Sequence, residues 1–212
     1  MPRPLMIQVM REPIAREVSS FYYTMWGPRP TELMVAKRRK MMVTTKLDHP
    51  PSINEYVAWV RDSFGDTGKG CINSYHQYDG KAPPTPYNLQ TRFFCGFHPA
   101  CKDICSEEAL EVAKQAMVRD YAVVGFLEKL ADTLLLLELE LPQWFAGATM
   151  EYGKMLEKAG HGRLRIHTKA HHDPPTPETM ALLRAHHSQD IKLYAFAQTL
   201  FTAAGRRHGL NW

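Results

Sequence analysis

Apolar positions along this chain fall into short runs, separated by breaks rich in proline, glycine and charge. Residues 5–10 form one such run, of strand length, and read as a buried strand. Arg11-Glu12-Pro13 interrupts it, and residues 14–26 then read as a helix with Pro13 in the first turn, where the missing N–H is tolerated. Pro28 and Pro30 end that helix. Residues 48–92, rich in Pro, Gly, Asn and Asp, read as a long irregular excursion around a short helix near 53–60. Regular structure returns at Ser106, an N-cap followed by Glu107 and Glu108 in the first turn, and this helix runs to about Arg119. Residues 121–126 read as a strand. Residues 128–141 read as a helix stopped by Pro142, and the apolar run 134–137, closed by Glu138 and Glu140, is its buried part. Helix, strand, helix in this order predicts an α/β layer with a parallel sheet. A loop over 160–175 carries basic and histidine residues. Thr176-Pro-Glu then opens the last helical region as N-cap, first-turn proline and first-turn acid, with a break near Ser188 and an end at Gly205. There is no internal repeat and no low-complexity segment.

Composition changes this picture little. At 212 residues, 44% hydrophobic and 23% charged, the chain is long and apolar enough for one folded domain, and wholesale disorder is excluded. The net charge of +4 permits an anionic partner without requiring one, so placement matters more than the sum. Between Arg29 and Lys46 stand Lys37, Arg38, Arg39 and Lys40, with Glu32 the single acid of the stretch. Such a run is usually a solvated basic loop. No segment reaches the roughly 20 apolar residues of a membrane span, and Met1-Pro-Arg-Pro carries no apolar signal region. Taken literally, that describes a cytosolic chain. Cys71, Cys95, Cys101 and Cys105 argue otherwise. An even number, three of them close together, suggests two disulfides or a metal site. The gaps of five and three residues match no common zinc pattern, and Phe93, Phe94 and Phe97 make the surroundings apolar. Disulfides are favoured, and with them an oxidising, secretory compartment.

The junction between first strand and first helix is the strongest local chemical signal. A strand end that opens a helix presents free backbone N–H groups and the positive end of a dipole, which suits phosphate. Arg11 can bind a phosphate bidentately, and Ser19, two turns into the helix, adds a hydroxyl donor. The same residues also suit a surface arginine and a helix serine with no ligand. His161, His167, His171, His172, His186 and His187 crowd the last third of the chain, but no H-x3-H pair joins a third ligand at a metal-binding spacing. They read as solvated loop and helix histidines, with no metal.

Taken together, several blocks resemble the heparan sulfate and uronyl 2-O-sulfotransferases. An arginine with a serine eight residues later, here Arg11 and Ser19, resembles the 3′-phosphate motif of sulfotransferases. Phe93-Phe-Cys-Gly-Phe-His-Pro-Ala-Cys101, Tyr121-Ala-Val-Val-Gly-Phe-Leu-Glu-Lys-Leu130, the leucine run and Leu141-Pro-Gln-Trp-Phe-Ala-Gly-Ala148 follow in family order. The resemblance implies an α/β, sulfotransferase-type P-loop-like parallel sheet with flanking helices, its N-terminal part missing, so that residues 1–212 are a partial sulfotransferase domain. It implies 3′-phosphoadenosine 5′-phosphosulfate (PAPS) as donor, with Arg11 and Ser19 on the 3′-phosphate, and Tyr152, Thr168 and Lys169 as further cofactor contacts. It implies that Arg38 and Arg39 meet the carboxylate of a uronic acid in an acidic glycosaminoglycan, that Cys95 and Cys101 form a disulfide, and that the parent protein is a trimer anchored in the Golgi membrane and facing the lumen. No nucleic acid is implied.

Two departures accompany the resemblance. The family's 5′-phosphosulfate loop, the histidine that serves as its general base and its membrane anchor would lie upstream of Met1, so the chain alone is expected to be inactive. The family's second cysteine pair has its first member replaced near Tyr56, which leaves Cys71, and Cys105 is the candidate partner. The reading is a glycosaminoglycan uronyl 2-O-sulfotransferase. A non-catalytic glycan- or nucleotide-binding remnant of that fold, or a generic anion-binding domain, stays open beside it.

Overall fold

The computed structural model describes residues 5–26, 51–64, 70–73, 87–158 and 173–212, and with them Glu32, Val35, Arg39, Met42, Val43 and His49. In chain order the elements are β1 (Met6–Met10), α1 (Pro13–Trp26), α2 (Ile53–Phe64), α3 (Leu89–Cys95), a 3-10 turn (Pro99–Lys102), α4 (Glu107–Asp120), β2 (Tyr121–Phe126), a second 3-10 turn (Leu127–Lys129), α5 (Leu130–Glu140), α6 (Pro142–Phe145), α7 (Ala148–Lys158), α8 (Pro177–His186) and α9 (Ser188–Arg207). They form two compact units. One takes Met1–Arg11, Gln115–Lys169 and Tyr194–Trp212, and the other takes Glu12–Lys114 and Ala170–Leu193.

The first unit is the α/β layer. β1 and β2 pair in parallel, with Ile7 opposite Val123 and Met10 opposite Phe126, after an irregularity at Met6/Ile7. Val123 to Phe126 are buried, as their apolar run dictates. β1 is not the evenly buried strand its composition suggests. Only Met10 is fully buried, and Val9 is exposed. β2 is the strand neighbour of β1 among the described residues. α5 lies close on β2 because Gly125 leaves room: a Cβ there would sit 2.1 Å from Thr133 Cγ2. The Thr133 hydroxyl accepts from Phe126 N–H at 2.8 Å and donates to Phe126 O at 3.1 Å. Pro142 ends α5 as expected, yet also opens α6 from its first position. α7 is an addition to the sequence reading. None of its residues is buried, so core packing does not anchor it. Its first turn is held instead from α5, where Glu138 accepts from Thr149 N–H at 3.2 Å and from the Thr149 hydroxyl. Near the chain's end Trp212 stacks on Phe201, with ring centres 5.4 Å apart.

The second unit is helical. Ile14 and Phe21 of α1, Tyr56, Val57 and Val60 of α2, and Leu183 of α8 bury one another around Tyr87. α2 is longer than the predicted 53–60. Ser52 and Glu55 start it with a capping box, Ser52 Oγ accepting from Glu55 N–H and Glu55 Oε2 from Ser52 N–H. Thr176 caps α8 through Thr179 N–H at 3.2 Å, with Pro177 behind it, as expected. α3 lies inside the stretch expected to be irregular. Its start, at Asn88 in the left-handed region (φ 51), is secured by Asp190, a residue far along the chain, and so leaves no local signal. Two disulfides, Cys95–Cys101 and Cys71–Cys105, close this unit. Tyr56 is an aromatic core residue stacked on Phe21 at 5.2 Å. Around Cys95 only Phe94 is buried. Phe93 and Phe97 stand in solvent, so the apolar lining expected there is one ring rather than three.

Candidate functional site

Arg11 directly follows β1, whose last residue lies opposite Phe126, the last residue of β2. It therefore stands at the carboxyl end of a parallel strand pair, the edge at which α/β sheets bind ligands. It is half-buried, as are Ser19 on α1 and Tyr152 on α7. Each carries a donor that phosphate can use, a guanidinium, an aliphatic hydroxyl and a phenol, with Arg11 and Tyr152 in one compact unit and Ser19 in the other. The helix start is less open than expected. Pro13 has no N–H, and Glu12 Oε2 accepts from Ala15 N–H at 2.6 Å, so a carboxylate already occupies part of the dipole end. An anion at this junction would therefore meet side chains more than free amides. Arg39 is exposed. Arg38, Thr168 and Lys169, the rest of the basic run and His161, His167, His171 and His172 lie outside the described residues.

Beside Ser19, sequence reasoning missed a buried charge cluster. The inward stripe of α1 runs Ile14, Glu17, Phe21, which puts a carboxylate among core residues. Glu17 Oε2 lies 3.7 Å from Arg16 Nη2 and 3.8 Å from His187 Nε2. Asp190 Oδ2 lies 3.9 Å from Arg16 Nη2 and 4.0 Å from His187 Nδ1. Asp190 also accepts from Gln90 N–H, Thr91 N–H and the Thr91 hydroxyl. Burial raises its pKa, opposed by Arg16 and by the Thr91 and Gln90 donors. His186 and His187 are not solvated: they are 3% and 0% exposed, packed on the Tyr87 ring. Burial lowers both, His186 to about 4, and Arg16 pushes His187 further the same way. The signal that would have found them is Glu17 itself, a charge inside an apolar stripe that needs partners.

No protein-family model matches the chain. Individual proteins do. Heparan sulfate 2-O-sulfotransferase 1 of Gallus gallus is 29% identical over 201 residues, 94% of this chain and 48% of that protein. Its Homo sapiens counterpart is 31% identical over 182 residues, 86% of this chain and 42% of that protein. The chain is a homologue of the 2-O-sulfotransferases. Uronyl 2-sulfotransferase of Homo sapiens extends the match to 209 residues, 99% of the chain and 46% of that protein, at 27% identity. These relatives are enzymes, and the chain spans a little under half their length. With 99% of the chain matched, the homology takes in both compact units, and a mixed helical fold with a small parallel sheet is compatible with a sulfotransferase.

Proposed function

We propose that this chain is part of a glycosaminoglycan uronyl 2-O-sulfotransferase that binds PAPS and an acidic glycan. The observation that carries the reading is Arg11 at the carboxyl end of β1, followed by α1 with Ser19, in a chain homologous to 2-O-sulfotransferases over most of its length. The bound donor supplies the sulfuryl group. The chain's own residues bind and orient it: Arg11 and Ser19 hold the 3′-phosphate, and Tyr152, with Thr168 and Lys169, contacts the nucleotide. The sheet is the counterpart of the P-loop-like sheet of the family. Arg38 and Arg39 meet the uronic-acid carboxylate of heparan, chondroitin or dermatan sulfate, where planar guanidinium groups suit carboxylate and sulfate. A general base takes the proton of the acceptor 2-hydroxyl as its oxygen bonds to the sulfuryl sulfur, the S–O bond to the donor's 5′-phosphate breaks and adenosine 3′,5′-bisphosphate leaves. Two disulfides in one unit support an oxidising, secretory setting; a Golgi-lumenal, membrane-anchored parent assembled as a homotrimer completes the reading.

A second reading is a non-catalytic glycan- or nucleotide-binding remnant of the same fold. Both readings share the binding surfaces, and one crossed experiment tests these. Arg11→Ala should weaken nucleotide binding roughly ten- to a hundredfold, the worth of a charge-assisted contact, and leave heparin-column retention nearly unchanged. Arg38→Ala should do the reverse, with an effect that shrinks as salt rises. Equal loss of nucleotide binding in both variants would assign the basic run to the nucleotide and remove the glycan from this proposal.

A further inference from the structure

We infer that Arg16 is a positioning residue that sets the rotation and height of α1, and with it Ser19, by charge contact with the buried carboxylate of Asp190. The inference rests on the reading of Ser19 as a 3′-phosphate ligand. Ser19 lies three residues beyond Arg16, one helical turn on, so whatever fixes Arg16 fixes the turn that presents Ser19. Apolar packing of Ile14 and Phe21 is non-directional and leaves α1 some freedom to slide or roll. The directional contacts are polar. Glu12 holds the helix start through Ala15 N–H at 2.6 Å, and Arg16 reaches Asp190 at 3.9 Å.

Asp190 is a fixed reference because its surroundings hold it on every side. Oδ1 accepts from Thr91 N–H at 2.7 Å and from the Thr91 hydroxyl at 2.8 Å, while Oδ2 accepts from Gln90 N–H at 3.2 Å. Its own N–H donates to Asn88 Oδ1 at 3.2 Å, and Asn88 Nδ2 donates to His186 O at 2.8 Å. The start of α3 and the junction of α8 with α9 thus form one frame. The side chains of Glu17 and Asp190 are 2% and 0% exposed, and that of Arg16 is 18%. Charges this far from water are screened little by solvent or salt. Arg16 Nε and Nη2 make no hydrogen bond, so the hold is electrostatic rather than a bidentate fork. A lysine at this position therefore keeps most of the hold, whereas a methionine keeps the stem and loses it.

The test compares two probes on the 212-residue chain by calorimetry, adenosine 3′,5′-bisphosphate and adenosine 5′-monophosphate. Their affinity ratio isolates the 3′-phosphate contact from everything else the nucleotide touches. Arg16→Met should lower the ratio about tenfold with monophosphate affinity unchanged, and Arg16→Lys should restore most of it. In a Ser19→Ala background Arg16→Met should change the ratio no further, since the two act through one contact. Should Arg16→Met fail to fold, Arg16→Gln, which also removes the charge and leaves Asp190 with its own donors, is read the same way. An unchanged ratio, a loss additive with Ser19→Ala, or equal loss for both nucleotides would overturn the positioning role alone. A wild-type chain that does not distinguish the two nucleotides would overturn the donor-site reading and this inference with it.

Discussion

The two compact units of the chain keep their polar groups in opposite places. In the α/β unit the core is Met10, Val123, Val124, Phe126, Leu136, Leu137 and Phe201, and Thr133 is the buried polar residue among those described. Its ion pairs, such as Arg207–Glu140, lie toward solvent. In the helical unit Glu17, Asn88, Thr91, Thr179, His186, His187, Gln189 and Asp190 are all buried, and both disulfides are there too. The first kind of core is held by area removed from water and by strand pairing, both nearly indifferent to pH and redox state. The second depends on charges that must stay paired and on covalent links. A buried ion pair adds little net stability, yet removing one partner leaves an uncompensated charge.

The contrast breaks most visibly at the cysteines. Cys71 and Cys105 are 34 residues apart and Cys95 and Cys101 only 6, and a longer loop restrains the unfolded chain more. Replacing Cys71 and Cys105 by serine should cost about 4 kcal/mol, against about 2 kcal/mol for the Cys95–Cys101 pair. Hydrogen exchange is the measurement. Protection should fall in α3, α8 and residues 70–73 and stay in β2 and α5. Equal loss in β2 would show that the two cores do not differ in this way.

Acid should sharpen the same contrast by a smaller amount. His186 has a folded pKa of about 4, depressed by burial, against an ordinary value of 6.5. The unfolded chain therefore binds the proton first as pH falls, and stability is lost through the window from about 6.5 down toward 4. His187 works in the same direction. Asp190, raised by burial, works against them at the acid end. Between pH 7 and 5 the His186 contribution should be about 1–2 kcal/mol, read from denaturant midpoints. His186→Gln should flatten the profile, and an unaltered slope would mean that the buried imidazole does not set it.

The same division explains what could be read in advance. β2, the buried end of the leucine helix and the Ser106 and Thr176 caps are local patterns, and the structure has them where the pattern lies: Ser106 Oγ accepts from Ala109 N–H and Thr176 Oγ1 from Thr179 N–H. α3 was not legible, because its cap is Asp190, about a hundred residues away. Nor was α7, whose helix start is fixed by Glu138 rather than by core packing. The capping box at Ser52 and Glu55 was present and unread. In the candidate site, Arg11 and Ser19 stand out only once the neighbouring blocks are read together, because an arginine after a strand is common. The Glu12 cap is local, three residues from Ala15, whereas the Arg16–Glu17–Asp190–His187 cluster joins distant parts of the chain, and its one signal in the sequence is Glu17 inside the apolar stripe.

The central claim is that the β1–α1 segment holds a 3′-phosphate. Competition between adenosine 3′,5′-bisphosphate and adenosine 5′-monophosphate for the 212-residue chain and its Arg11→Ala variant tests it most directly. The account predicts that the wild-type chain binds the bisphosphate roughly ten- to a hundredfold more tightly, the worth of a charge-assisted contact, and that Arg11→Ala abolishes the preference. Equal affinity for the two nucleotides in the wild-type chain, or a preference that survives Arg11→Ala, would contradict it.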